Sequence, residues 1–329
     1  MILMIGGNMK IGIIGCGAYA IALSTILEEK DFSIMMWTKL PEEYQELTNN
    51  HTNLKVINYK LNKKIKFTLS LEELSNNSDL LILAIPAKFV KNTIKELKQF
   101  YKNQEILIAT KGMIESENTL IHEFIETILN TNKISCISGP SFAIDIIDKK
   151  PIGLTIASKN LNSLTYIKNI FSNINYISLD ETNDITSIEL CGILKNILAI
   201  GAGILNGMNI NTSTIAKYLK DSIKEIQILI EKLNGNKESF LTYAGFGDFI
   251  LTTTNTKSRN YTFGKLIGEN NDYKTYKDKT TIEGLDNLNG IYKLLQSKNI
   301  NSNIINVLYQ IIYLEKDKRI LLDYLINMN

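Results

Sequence analysis

Arginine, histidine and cysteine are all scarce in this 329-residue chain, and each scarcity narrows the reading. Of 36 basic residues only two are arginine, Arg259 and Arg319. With a net charge of +2, no excess of positive charge marks the chain for nucleic acid or an anionic membrane. Where lysine is the default cation, an arginine is of interest because its planar fork does what an ammonium cannot. Two histidines, His51 and His122, leave a proton-transfer enzyme to find its acid or base elsewhere. Three cysteines, Cys16, Cys136 and Cys191, are odd in number and far apart. They read as reduced thiols of a cytoplasmic protein and not as a disulfide framework or a metal site. The apolar start, Met1 to Gly17, has no basic leader and runs into a glycine motif, so it reads as a first strand and not a signal peptide. Met9 serves equally well as the initiator, leaving residues 1–8 as a short extension. No stretch reads as a membrane span, because the longest apolar run is interrupted by Lys195 and Asn196.

That run is the most informative part of the chain. Glu189 to Asn206 reads as one helix, apolar almost all round and therefore buried. An unpaired ammonium there is costly, so Lys195 must gain partners or shift its pKa. Helical spacing puts it on one face with Cys191, Gly192, Ala199 and Ala202, small residues that leave room for a ligand. A lysine snorkelling out of a helix seam is the alternative.

The length suits two domains. Residues 10–15 form a β-rich run, Gly15-Cys-Gly17-Ala-Tyr-Ala20 follows, and a helical pattern continues to about Lys30. This is the strand, turn and helix of a dinucleotide fingerprint, with Ala20 in the third glycine's place. The second strand, Phe32–Trp37, ends in Thr38-Lys39 without an acid, a pair that suits a 2′-phosphate and favours NADP over NAD. Further apolar strands are expected over 79–85, 105–109, 133–137, 152–157 and 174–179, as in a parallel sheet buried on both faces. Lys111 lies just past the C-terminal edge of the 105–109 run, and Gly139 and Pro140 make a turn after which Ser141 can cap the next segment. Beyond about residue 182 the pattern is helical. Thr212–Leu233 carries Lys217, Lys220 and Lys224 on a polar face, and Asp248 follows flexible glycines. Ser258-Arg259-Asn260 is a candidate phosphate grip, and Ile282-Glu283 precedes another helix.

Seven segments, Gly15–Leu23, Ala109–Gly112, Ser138–Ala143, Glu189–Asn196, Gly245–Asp248, Ser258–Asn260 and Ile282–Gly284, resemble bacterial NAD(P)-dependent glycerol-3-phosphate dehydrogenase in order and spacing. The resemblance covers nearly the whole chain. It implies an α/β Rossmann-type domain with a mostly parallel sheet (residues 1–182) and an all-α C-terminal domain (183–329) of the 6-phosphogluconate-dehydrogenase-like kind. It implies reversible reduction of dihydroxyacetone phosphate to sn-glycerol 3-phosphate for phospholipid synthesis, with Lys195 as the proton-transfer residue. By the same resemblance the substrate is held by Lys111, Gly139, Ser141, Lys195, Asp248, Ser258, Arg259 and Asn260. The cofactor is held by Gly15, Gly17, Ala18, Tyr19, Ala20, Lys39, Lys111, Ala143, Arg259, Ile282 and Glu283. No metal or nucleic acid is implied, and a homodimer is compatible with it. Ala18 stands where the family often has serine, Thr38-Lys39 where arginine is common, and Ser213 and Leu219-Lys220 where Lys and Arg-Gly are usual. Another two-domain hydroxyacid or ketopantoate-type reductase, or a non-catalytic NAD(P)-binding protein, remains as an alternative.

Overall fold

The computed structural model describes residues 9–54 and 56–327, so the reading of residues 1–8 lies outside the described residues. The chain forms two compact units. One comprises the chain up to Thr110 together with Ile121–Ile185; the other comprises Lys111–Leu120 and Thr186 onward.

The first unit is built on an eight-stranded sheet: β1 Lys10–Ile14, β2 Ser33–Trp37, β3 Lys66–Thr68, β4 Leu80–Leu83, β5 Glu105–Ile108, β6 Ile134–Ser138, β7 Ile152–Ala157 and β8 Ile177–Thr182. The order is β8-β7-β6-β5-β4-β1-β2-β3. All neighbours are parallel except β6 and β7. Unbroken runs such as Leu80-Leu-Ile-Leu83 are buried at every position, which is what helices on both sheet faces demand. β8 begins later than its apolar pattern suggests, because the Ile177 N–H first closes a turn onto the Ile174 carbonyl. Two helices that the sequence reading did not single out have ordinary start signals. Pro41 opens Pro41–Asn50 with Glu42 and Glu43 in its first turn, and the Asn160 side chain caps Leu161–Phe171.

The second unit is mostly helical, and its axis is Ile185–Gly207. By length and composition this helix would pass as a membrane span, yet its apolar window is wholly buried inside the unit. Helices Thr212–Lys232, Arg259–Gly268, Glu283–Ser297 and Asn303–Tyr313 contribute to the same core. Lys217 and Lys220, on the outer face of helix Thr212–Lys232, both pair with Asp221. The crossing of Ile185–Gly207 with Arg259–Gly268 is backbone on backbone. A Cβ at Gly203 would lie 2.1 Å from the Tyr261 carbonyl oxygen, and one at Gly264 would lie 2.0 Å from that of Ile200. Gly207 and Gly268 are closed in the same way.

The segment Lys111–Leu120 leaves the sheet unit and joins the helical one. It folds as a small antiparallel ribbon, Met113–Ile114 with Thr119–Leu120. Glu115 accepts from Asn289 and from Lys293, whose ammonium is 3.0 Å away, and Met113 packs onto Gly290. A boundary drawn once along the sequence near residue 182 does not anticipate this excursion, because local hydrophobic pattern carries no record of which core a ten-residue ribbon joins.

Candidate active site

In the sheet unit, Gly15 makes the turn after β1. Its φ is +125°, and its N–H donates to the Trp37 carbonyl at 2.9 Å. A side chain there would strike the Ala84 carbonyl oxygen at 2.4 Å, so this position requires glycine. Gly17 differs, since a Cβ built on it meets no atom within 4 Å among the described residues. It is the N-cap of helix Ala18–Glu28, where no side chain caps the N–H groups and no acid occupies the first turn, again among the described residues. Open space over uncapped helix N–H groups suits a pyrophosphate, so the residues present fit a dinucleotide. Ala18 and Tyr19 are partly exposed in that first turn, whereas Ala20 is fully buried.

The turn after β6 carries Gly139 and Ser141. A Cβ on Gly139 would collide with the Gly153 carbonyl oxygen at 2.2 Å. Ser141 does not cap the following helix, Ala143–Ile147; its N-cap is Phe142, with no side-chain cap. The Ser141 hydroxyl donates instead to the Gly139 carbonyl at 3.3 Å and lies 3.4 Å from the Tyr19 hydroxyl. Two residues after Gly139 the hydroxyl can fold back on its own turn, and that local bond wins over the cap. Ala143 packs at the edge of the sheet unit's core, and Lys39 is exposed beyond β2.

In the helical unit, Lys195 is 5% exposed. Its Nζ donates to Asp248 Oδ1 at 2.5 Å and to Thr252 Oγ1 at 2.8 Å. The other oxygen of Asp248, Oδ2, accepts from Lys111 Nζ at 2.6 Å. One buried carboxylate therefore bridges two ammonium groups. The expected room beside Lys195 is in part filled: the Lys111 stem runs over Gly192, with its Cγ 3.5 Å from where a Cβ would be. Burial draws the Lys195 pKa down to about 8, Asp248 opposing and Lys111 adding to the fall. Burial pushes the Asp248 carboxyl up, but the two lysines outweigh it and hold it below the usual carboxylate range.

A second polar chain adjoins this one. Asn196 donates to Glu283 Oε2 at 3.1 Å and accepts from Asn260 Nδ2 at 3.0 Å. Asn260 Oδ1 accepts from the Gly284 N–H at 2.8 Å. Ile282, buried, is the N-cap residue of the helix that Glu283 begins. Ser258 caps Arg259–Gly268 by accepting from the Tyr261 N–H at 3.3 Å, so its hydroxyl hydrogen is left to donate. Arg259 is half exposed and lies 3.5 Å from Glu283 Oε1. Sequence reasoning passed over Thr252 and Asn196. Thr252 stands four residues after Asp248, one helical turn on, which is the signal that would have found it.

A glycine turn shaped for a dinucleotide and a desolvated lysine held by a carboxylate define the class: a nicotinamide-dependent oxidoreductase with a Rossmann-type domain followed by a helical domain. The family described as NAD-dependent glycerol-3-phosphate dehydrogenase matches in both parts, its N-terminal region over residues 10–164 and its C-terminal region over 184–323. A glycerol-3-phosphate dehydrogenase [NAD(P)+] of Staphylococcus epidermidis is 32% identical over 314 residues, 92% of this chain and 93% of that protein. One of Mesoplasma florum is 31% identical over 312 residues, with 92% and 93% covered. A crystal structure of the Coxiella burnetii glycerol-3-phosphate dehydrogenase superposes with a TM-score of 0.91 at 25% identity, covering 98% of this chain and 99% of that one. This chain belongs to the NAD-dependent glycerol-3-phosphate dehydrogenase family.

Proposed function

We propose that the protein reversibly reduces dihydroxyacetone phosphate to sn-glycerol 3-phosphate with NADH or NADPH, and so supplies glycerol 3-phosphate for phospholipid synthesis in the cytoplasm. When bound, the dinucleotide supplies the hydride. Gly15, Gly17, Ala18, Tyr19 and Ala20 would hold its pyrophosphate end, with Lys39, Lys111, Ala143, Arg259, Ile282 and Glu283 as the further contacts. Everything else is the work of the chain's own side chains.

The carrying observation is the state of Lys195. An ammonium has three hydrogens. Asp248 and Thr252 take two of them, which fixes the direction of Nζ and leaves the third for a ligand oxygen. A pKa of about 8 lets Lys195 give that proton to a carbonyl oxygen and take it back from a hydroxyl near neutral pH. Lys111 and Asp248 tune that value in opposite directions. At the start of helix Arg259–Gly268, the Arg259 guanidinium, the Ser258 hydroxyl and the first backbone N–H groups supply the donors a phosphate needs. Asn260, with Gly139 and Ser141, completes the proposed substrate set. A phosphate grip favours this substrate over an unphosphorylated keto acid.

The test is NAD(P)H oxidation with dihydroxyacetone phosphate by wild type and Lys195→Ala. Wild type should turn over, and the variant should lose about 10²–10⁴ in kcat. Tight dinucleotide binding with no turnover would make the protein a non-catalytic binder. Sedimentation of the purified chain tests the homodimer that we propose as its assembly.

A further inference from the structure

Which dinucleotide the enzyme prefers is decided at the end of β2, and there the folded chain differs from the sequence expectation. Thr38 and Lys39 suit a 2′-phosphate on paper. In the structure Thr38 is buried and its hydroxyl hydrogen is spent on Glu43 Oε2. The Thr38 hydroxyl oxygen itself accepts from the Leu40 N–H at 3.2 Å. A hydroxyl has one hydrogen, so while it donates to Glu43, Thr38 has none left for a phosphate oxygen.

Glu43 is also tied to the glycine turn. Its Oε1 accepts from Asn53 Nδ2 at 2.5 Å, and that same amide nitrogen donates to the Cys16 carbonyl at 2.9 Å. Cys16 stands between Gly15 and Gly17. Burial, with the Glu43 charge added, pushes the Cys16 thiol well above its ordinary pKa, which places the carboxylate within electrostatic reach of the turn. β1 and β2 are paired with Ile14 opposite Trp37, so Thr38 leaves the sheet beside the turn. The carboxylate is only partly buried, and each of its oxygens keeps a second lone pair.

We infer that Glu43 sets the enzyme's choice of dinucleotide, accepting from a ribose hydroxyl of NAD(H) and excluding the 2′-phosphate of NADP(H). An acid at this edge normally ends the second strand itself. Here helix Pro41–Asn50 carries it in from six residues past the strand's last residue, and Asn53 and Thr38 hold it in place. A 2′-phosphate would bring like charge against a fixed carboxylate, whereas a neutral hydroxyl would gain a charge-assisted bond. Lys39, exposed and solvated, offsets little of this.

This rests on the dinucleotide site proposed above, and its test separates the two. Purified wild type, Glu43→Gln and Glu43→Asp are titrated with NADH and with NADPH by nucleotide fluorescence, without substrate. Wild type should bind NADH at least about tenfold more tightly than NADPH. Glu43→Gln should shrink that ratio by about tenfold, chiefly by tightening NADPH, while Glu43→Asp keeps the charge and most of the ratio. Tighter binding of NADPH by wild type would overturn the inference. So would a parallel loss of both affinities in Glu43→Gln, the mark of a purely structural role. Failure to bind either dinucleotide would overturn the site itself along with the inference.

Discussion

Lys195 and Asp248 lie 2.5 Å apart, Nζ to Oδ1, each almost wholly removed from solvent. Neither charge would be tolerated there alone. With Lys111 on the second carboxylate oxygen, the cluster carries two positive charges on one negative. The two ammonium groups keep Asp248 ionised, while burial, with Lys111 adding to it against Asp248, makes the Lys195 proton easier to release. The structure thus couples the acidity of one group to the presence of two others, and that coupling can be measured.

Proton transfer by Lys195 should give the two directions of reaction opposite pH limbs. Reduction needs the ammonium, so its kcat/KM should fall as pH rises through about 8. Oxidation needs the free amine and should rise through the same value. Rate profiles from pH 6 to 10 in both directions check this; identical limbs would rule Lys195 out as the titrating group.

Removing the neighbours should move that limb in opposite directions. Asp248 raises the Lys195 pKa and Lys111 lowers it. Asp248→Asn should therefore shift the limb to lower pH, and Lys111→Met to higher pH. Asp248→Asn should also cost roughly 3–5 kcal/mol of stability, since two buried or half-buried ammonium groups lose their common partner. Profiles and denaturant melts of the two variants together test the coupling.

The two glycines of the turn should fail in different ways. Gly15→Ala forces a side chain into a left-handed backbone and onto the Ala84 carbonyl, so it should destabilise the fold by about 1–3 kcal/mol or more. Gly17→Val puts its side chain into open space, so melting should move by no more than about 0.5 kcal/mol. Its NADH affinity should nevertheless fall by about tenfold or more, because the volume it fills is the one proposed for the pyrophosphate. Calorimetric melts and nucleotide titrations distinguish the two.

Asn260→Ala should act on stability as well as on substrate. It removes the acceptor for the Gly284 N–H and the donor to Asn196, both buried. Orphaning them costs about 1–3 kcal/mol each in the usual range. A melt shows the first effect and the KM for dihydroxyacetone phosphate the second; a variant with unchanged melting would sink the structural half of this prediction.

Much of this was legible in the sequence, for reasons that differ by element. β1 and the glycine turn are read directly because special backbone geometry needs special residues. The buried Lys195 helix is read from its lack of a polar face. What pairs with Lys195 was only half legible: Asp248 was marked by its glycine-rich approach, but that it also holds Lys111 depends on a ten-residue segment crossing to the other unit. Thr38 shows the limit most plainly. Its residue type invites a phosphate, and only the fold reveals that Glu43, five residues away, has already taken its hydrogen. Ser141 likewise caps nothing, because its own turn offers a nearer acceptor.

The glycines at the crossing of Ile185–Gly207 and Arg259–Gly268 act as a gauge block. The first helix carries Lys195, the proposed proton donor, and the second begins with Ser258, Arg259 and Asn260, the proposed grip. The spacing between donor and grip is therefore set where peptide backbones touch, with no side-chain layer between them to yield or repack. A displacement of 1 Å can cost a hundredfold in rate. A methyl group added at Gly203 or Gly264, neither of them in the proposed site, would be felt as a change in calibration between Lys195 and the proposed grip.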